Sequence, residues 1–149
     1  MSLFSVLSVS ASGMAAQRTR AELLVENMAN ADTTRTPDGG PYRRKDAVFA
    51  TETAVSPFAS IFETVKAGVL GTGPQGVGVA GVVVDNREPE KRYLPGHPDA
   101  DAQGYVAYPR INPAEDMVDL IGAARGYGAN VAAISAIKDM IQRSIDLFR

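Results

Sequence analysis

All nine prolines of this 149-residue chain lie between Pro37 and Pro113. Proline has no amide hydrogen and its ring collides with the preceding turn, so a helix cannot run through it unbroken. Long helices are therefore confined to the two ends, and the middle must be something else. Three segments follow: a first helix over 1–31, a loop-rich middle with short strands over 32–111, and a last helix over 112–149. The expected fold class is mainly α, an antiparallel and coiled-coil-like pair of long terminal helices with a small β element between them.

The last third has the clearest period. In heptads, Met117, Ala124, Val131 and Ile145 share one position, and Leu120, Tyr127, Ile134, Ile141 and Phe148 the other; only Lys138 interrupts. Apolar residues at alternating three and four spacings make a stripe that packs against another helix. Asn112 is placed to cap the first turn, Pro113 suits the first helical position, and Glu115 fits a capping box. At about 1.5 Å per residue some 36 residues span roughly 54 Å. A small domain cannot cover that length by itself. Gly122, Gly126 and Gly128 together cost about 3 kcal/mol relative to alanine in a helix. They either admit a second helix closely or mark a kink, and the sequence leaves both open.

Residues 3–29 repeat the pattern. Phe4, Ala11 and Val25 share one heptad position, and Leu7, Met14, Ala21 and Met28 the other, with Arg18 as the interruption. Ser2 is placed to cap this helix, Gly13 weakens it by about 1 kcal/mol, and its end is expected near Asn30. Gln17, Asn27, Asn30 and Asn130 lie within or beside these apolar lines. Each either caps or faces solvent, or sets register between packed helices as single polar residues do in coiled coils.

The middle reads as a loop over 31–46, including a solvated basic turn, Arg43-Arg44-Lys45, whose functional reading is an ionic contact with a neighbouring subunit. A short apolar run follows at Ala47–Ala50. Ile61, Phe62, Val65 and Val69 fit either a helical turn or a strand. Val77, Val79, Val82 and Val84 predict a strand with a bulge near Gly81. Asp85-Asn86 reads as a turn toward Lys91-Arg92-Tyr93-Leu94, and Tyr105-Val-Ala-Tyr108 predicts a partner strand ended by Pro109. Tyr42, Tyr93, Tyr105 and Tyr108 read as packing on a β surface or as interface anchors.

Several function classes are excluded or weakened. A net charge of −2 without a basic tract gives no footprint for nucleic acid or a membrane surface. There is no cysteine and a single histidine, which leaves little material for nucleophilic catalysis. No apolar run approaches the ~18 residues of a membrane span. Gly71-Thr-Gly-Pro-Gln-Gly76 has GxGxxG spacing but leads into a strand pattern rather than the helix that dinucleotide binding requires. His97, Asp99 and Asp101 could ligate a divalent metal, yet on a Pro/Gly-rich loop they read first as turn residues bonding nearby amides. No Lys or Arg precedes the first apolar stretch and serines interrupt it, so a cleaved signal peptide is not expected.

Two long stretches are familiar. Ser10-Ala-Ser-Gly-Met-Ala-Ala-Gln-Arg18 with Asn27-Met-Ala-Asn-Ala-Asp-Thr33, and Glu115-Asp-Met-Val-Asp-Leu-Ile with Ala123-Ala-Arg-Gly-Tyr-Gly-Ala-Asn130, resemble the terminal motifs of the bacterial flagellar basal-body rod and hook family. Tyr93-Leu-Pro-Gly-His-Pro-Asp-Ala-Asp-Ala-Gln-Gly-Tyr-Val-Ala-Tyr-Pro109 resembles a segment typical of its proximal-rod members. The resemblance covers both ends and residues 85–113, and departs at Gly126 and Gly128, where the family carries larger residues.

It implies a non-enzymatic structural protein without cofactor, metal or small-molecule substrate. Its partners would be copies of itself, other rod proteins, and components of the hook–basal body and export apparatus. It would be exported by the flagellar type III apparatus without a cleaved signal and placed in the rod crossing the periplasm. The terminal helices would form the inner tube of a helical, torque-transmitting drive shaft. Interface residues would then be Phe4, Leu7, Ala11, Met14, Gln17, Ala21, Val25, Met28 and Asn30, with Met117, Leu120, Ala124, Tyr127, Asn130, Val131, Ile134, Ile141, Ile145 and Phe148. Two other readings stay open on the residues alone: a helical-hairpin adaptor that does not polymerise, and a small metal-dependent enzyme using His97, Asp99 and Asp101.

Overall fold

A computed structural model of the chain describes residues 3–52 and 75–147, with side chains from Ser5 onward. Helix α1 spans Leu3–Ala29 and helix α2 spans Pro113–Asp146. Among the described residues between them lie four strands: β1 (Lys45–Glu52), β2 (Gly76–Val84), β3 (Glu90–Tyr93) and β4 (Tyr105–Tyr108). Ile61, Phe62, Val65, Val69 and Gly71 fall outside the described residues, as does Ser2.

The helix boundaries follow from local chemistry. Asn112 accepts the amide of Ala114 at 3.2 Å and the Asn112 carbonyl takes the Asp116 amide at 3.0 Å. The cap and the first intrahelical bond are thus set by one residue. Glu115 and Asp116 put negative charge in the first turn, where the helix dipole favours it. At the end of α1, Asn30 Nδ2 donates at 2.9 Å to the Glu26 carbonyl, which also accepts the Asn30 amide at 3.2 Å. Helix α2 runs unbroken through Gly122, Gly126 and Gly128.

The described strands form two two-stranded sheets, β1 with β2 and β3 with β4. Strands β3 and β4 are antiparallel, with Arg92 opposite Val106 and Tyr93 opposite Tyr105. The valine-rich β2 therefore pairs with Lys45–Glu52, in sequence only a short apolar run. Residues 105–108 pair with Glu90–Tyr93.

The chain divides into two compact units. One comprises Met1–Arg18, Phe49–Ala80 and Ala124–Arg149; Ser10, Ala16 and Ile137 are buried in it. In this unit Gly13 faces Asn130 and Gln17 faces Gly126, so the helical segments run in opposite senses. The other comprises Thr19–Val48 and Gly81–Ala123; Leu24, Asn27, Tyr42, Val106, Asp116 and Ala123 are buried in it.

Burial along each helix does not follow the apolar heptads. On α1 the most buried residues are Ser10, Ala16, Leu24 and Asn27, and on α2 they are Asp116, Ala123 and Ile137. Ser10, Leu24 and Asn27 each precede one of the apolar positions Ala11, Val25 and Met28. Asp116, Ala123 and Ile137 precede Met117, Ala124 and Lys138 in the same way. A shift of one residue turns a helix by about 100°. The two interruptions, Arg18 and Lys138, then sit on the exposed side. Compact polar side chains fill the space left by Gly13 and Gly126, while Leu24 and Ile137 are the large apolar groups buried elsewhere along the helices.

Candidate assembly interface

Within the first unit, α1 and α2 meet through two amides and two glycines. A Cβ on Gly126 would lie 3.2 Å from Gln17 Cδ, and a Cβ on Gly13 would lie 3.0 Å from Asn130 Oδ1. Gly13 and Gln17 are one turn apart on α1, as Gly126 and Asn130 are on α2. Each helix thus offers one amide and the hole for the other's amide. Asn130 Nδ2 also donates to the Gly126 carbonyl at 2.9 Å, which fixes its rotamer. Gly122 and Gly128 have open space where a side chain would be. Of the two readings of the glycines, Gly126 serves close approach within the chain, and the helix does not break.

The apolar heptad residues divide by burial. Leu7, Met14, Ala21 and Met28 on α1, and Leu120, Ile134 and Ile141 on α2, are half-buried, as are Gln17, Asn30 and Asn130. Ala11, Val25, Met117, Ala124, Tyr127, Val131 and Ile145 are exposed. Phe4 and Phe148 lie outside the described side chains. Ile121, which the heptads omit, joins Met117, Ala124, Gly128 and Val131 on one outward stripe of α2 at helical spacing. Met117 is 58%, Ile121 49% and Val131 45% exposed. An exposed apolar stripe of this kind marks an interaction surface more often than a solvated one.

Three buried polar groups had no clear sequence signal. Asn27, expected to cap or face solvent, is fully buried. Its Oδ1 accepts the Lys45 amide at 2.9 Å and the Tyr42 hydroxyl at 3.1 Å, and its Nδ2 donates to the Lys45 carbonyl at 2.8 Å. A side-chain amide here takes the place of a neighbouring strand at the start of β1. Burial, and then the charge of Glu26, push the Tyr42 hydroxyl up to about 12, so it stays a donor.

Arg44 and Asp116 make the other correction. The basic triplet is not one solvated turn: Arg43 is exposed, but Arg44 Nη1 lies 2.7 Å from Asp116 Oδ1, whose side chain is 0% exposed. The contact is an ion pair rather than a well-directed hydrogen bond. Burial raises the Asp116 carboxyl against the opposing pull of Arg44. Although burial also works against the Arg44 cation, Asp46 and Asp116 hold it charged. Lys45 pairs with Glu26. Arg20 reaches Asp119 at 3.2 Å, a second link between α1 and α2 residues.

The loop carrying His97, Asp99 and Asp101 is a system of turns. His97 Nδ1 accepts the Asp99 amide at 3.1 Å, and Asp101 Oδ1 accepts the amides of Gln103 and Tyr105 at 2.9 and 2.8 Å. Asp99 accepts the Thr34 hydroxyl at 2.8 Å and lies 3.7 Å from Arg35. Each group is engaged in holding the loop to itself or to residues 34–35. Gly104 closes the loop at φ 82°, where a Cβ would strike Tyr93 at 3.0 Å. Tyr93 and Tyr105 form an edge-to-face pair at 5.3 Å on one face of the β3–β4 ribbon, and Arg92 stacks on Tyr108 at 4.8 Å on the other.

Comparison with known proteins identifies relatives over the full length. A family model described as the C-terminal part of the flagellar basal body rod FlgEFG proteins matches residues 102–147. The chain is 38% identical to flagellar basal-body rod protein FlgC of Borreliella burgdorferi over 100% of this chain and 99% of that protein. It is 37% identical to FlgC of Bacillus subtilis over 99% of each, and 35% identical to FlgC of Salmonella typhimurium over 99% of this chain and 98% of the relative.

Proposed function

The chain belongs to the FlgC family of flagellar basal-body rod proteins and is a structural subunit rather than an enzyme; on that premise we propose that it builds the proximal rod by polymerising through its two terminal helices. The observation that carries this reading is the outward stripe Met117, Ile121, Ala124, Val131 on α2. The contacts at Gly13 and Gly126 are made by amide side chains, and Met117, Ile121 and Val131 are left for neighbours. Val25 and Ala11 on α1 and Ile145 on α2 contribute in the same way. Burial against neighbouring copies, and against other rod proteins, supplies the apolar contacts that one helical pair lacks, and couples ordering to assembly.

A repeated head-to-tail contact that does not close on itself gives an open helical polymer. Terminal helices arranged around its axis would enclose a channel, and torque would pass through many cooperating contacts. Such a subunit would reach the rod through the flagellar type III apparatus without a cleaved signal. The test is electron microscopy of basal bodies from a strain lacking the gene, with and without its restoration. Membrane rings without a rod, rebuilt on restoration, are expected; normal rods and hooks in the deletion strain would overturn the reading.

A further inference from the structure

Loop 39–44, the turn 85–87 and the exit of β4 at 109–110 enclose a small cleft lined by four guanidinium groups, those of Arg43, Arg44, Arg87 and Arg110. Asp85 also lines it, but that carboxylate is already engaged. Arg87 Nε contacts its two oxygens at 2.9 and 2.8 Å, Arg87 Nη2 adds a third contact, and the Arg87 amide a fourth at 2.9 Å. Arg44 is matched by Asp46 at 3.2 Å and Asp116 at 2.7 Å. Arg43 finds only the neutral Asn86 amide oxygen, at 3.0 Å. Arg110 has no ion pair among the described residues and feels Asp85 only at a distance. Arg43 and Arg110, both exposed, therefore line the cleft without a carboxylate of their own among the described residues.

The size selects the ligand. The cleft offers about 80 Å³, well under the ~300–1,000 Å³ of sites that enclose a cofactor or small-molecule substrate. It suits one or two carboxylate-sized groups. Gly39 and Gly40 form part of its rim, at φ 85° and 80°, with no atom within 4 Å of where a Cβ would be. That bare backbone lets another chain lie close. Guanidinium forks match carboxylate geometry two bonds at a time.

We propose that this cleft docks an acidic segment of a neighbouring protein in the assembly, with Arg43 and Arg110 receiving successive Asp or Glu carboxylates. The proposal rests on the rod reading only for the source of that segment. Such a contact fixes orientation and speeds encounter more than it adds affinity, and weakens with salt.

The test uses the full chain labelled with ¹⁵N, observing arginine Nε–Hε signals during titration with a hexaglutamate peptide, a hexaglutamine control and inorganic phosphate. Hexaglutamate is expected to shift Arg43 and Arg110, with affinity falling as salt rises from 50 to 150 mM. Arg43→Gln/Arg110→Gln should lose about tenfold in affinity, about 1.4 kcal/mol, with its helical circular dichroism unchanged. Arg92→Gln/Arg143→Gln, which removes the same charge elsewhere, should bind as the parent does. Equal binding by all three proteins, or shifts with phosphate and none with peptide (an adventitious anion only), overturns the docking site. In cells, normal rods built by an Arg43→Glu/Arg110→Glu strain, where the deletion strain builds none, would overturn it and leave the rod reading standing.

Discussion

Gln17 and Gly126 face each other across the two terminal helices, with the Gln17 Cδ 3.2 Å from where a Gly126 side chain would begin. One turn away, Asn130 stands over Gly13 in the same manner. The pair of contacts sets how near the helices come at this point, each amide filling the space that a side chain on the facing glycine would take.

The four helical glycines should therefore respond differently to alanine. Gly122→Ala and Gly128→Ala enter open space and should each stabilise the isolated chain by about 1 kcal/mol through helix propensity. Gly126→Ala should gain less, because Gln17 must move aside. Gly13→Ala should be the worst of the four, because Asn130 is anchored to the Gly126 carbonyl and cannot yield. Urea unfolding followed by circular dichroism gives the order; Gly13→Ala as favourable as Gly122→Ala would refute the reciprocal packing.

Removing Arg44 should be costly and removing both partners much less so. Arg44→Met leaves the Asp116 carboxylate buried and uncompensated, an expected loss of about 3–5 kcal/mol. Arg44→Met/Asp116→Leu should recover most of it. A double variant as unstable as the single would mean that the arginine acts by packing. The pH dependence has a definite sign. The folded-state carboxyl of Asp116 is held above its ordinary 3.8, so the folded chain takes up the proton first as pH falls. Its contribution to stability is present below 3.8 and lost as pH rises through the folded value.

Asp85 behaves oppositely. The Arg87 guanidinium and amide bonds lower its carboxyl to about 2. Its contribution is present above the ordinary 3.8 and lost as pH falls toward 2. Carboxyl carbon shifts read by NMR should titrate near that value, and Arg87→Gln should bring the midpoint back toward 3.8. An unchanged midpoint in the variant would remove Arg87 as the cause.

Asn27→Leu keeps the bulk but can neither accept the Lys45 amide nor donate to the Lys45 carbonyl. It should destabilise the chain by about 1–3 kcal/mol, the cost of an unmet buried polar group, and expose the Lys45 amide to faster hydrogen exchange. Exchange at Lys45 as slow as in the parent would show that the amide is protected by something else.

A charge on the outward stripe should separate folding from assembly. Ile121→Asp or Val131→Asp should leave the single chain as helical as the parent, since both sites are exposed, and should prevent rod formation in cells. Rods of normal length with either variant would remove this stripe from the interface.

The sequence disclosed the long helices well, because proline placement and the cap at Asn112 are local signals that no tertiary context overrides. It disclosed the apolar lines too, but a heptad count cannot tell which partner a line meets. Val131 is large and apolar yet exposed, while Asn130 beside it packs against the chain's own first helix. Arg44 and Asn27 were illegible for a different reason. An arginine among basic neighbours looks solvated until Asp116, far along the chain, is brought beside it, and an asparagine near a helix end looks like a cap until Lys45 folds back on it. Strand β1 is legible only as a short apolar run at Ala47–Ala50, because most of its residues are exposed and show no sustained alternation of burial.

The bond from Arg20 to Asp119 joins positions 99 residues apart, and the Gly13–Asn130 contact is also made between opposite ends of the chain. Such closures are slow because the chain entropy must be lost before the contact forms. A molecule threaded end-first through a narrow passage would present one of these helices long before the other. During that interval the early helix has nothing of its own to lie against, so timing, as well as affinity, favours its meeting the growing end of a polymer first.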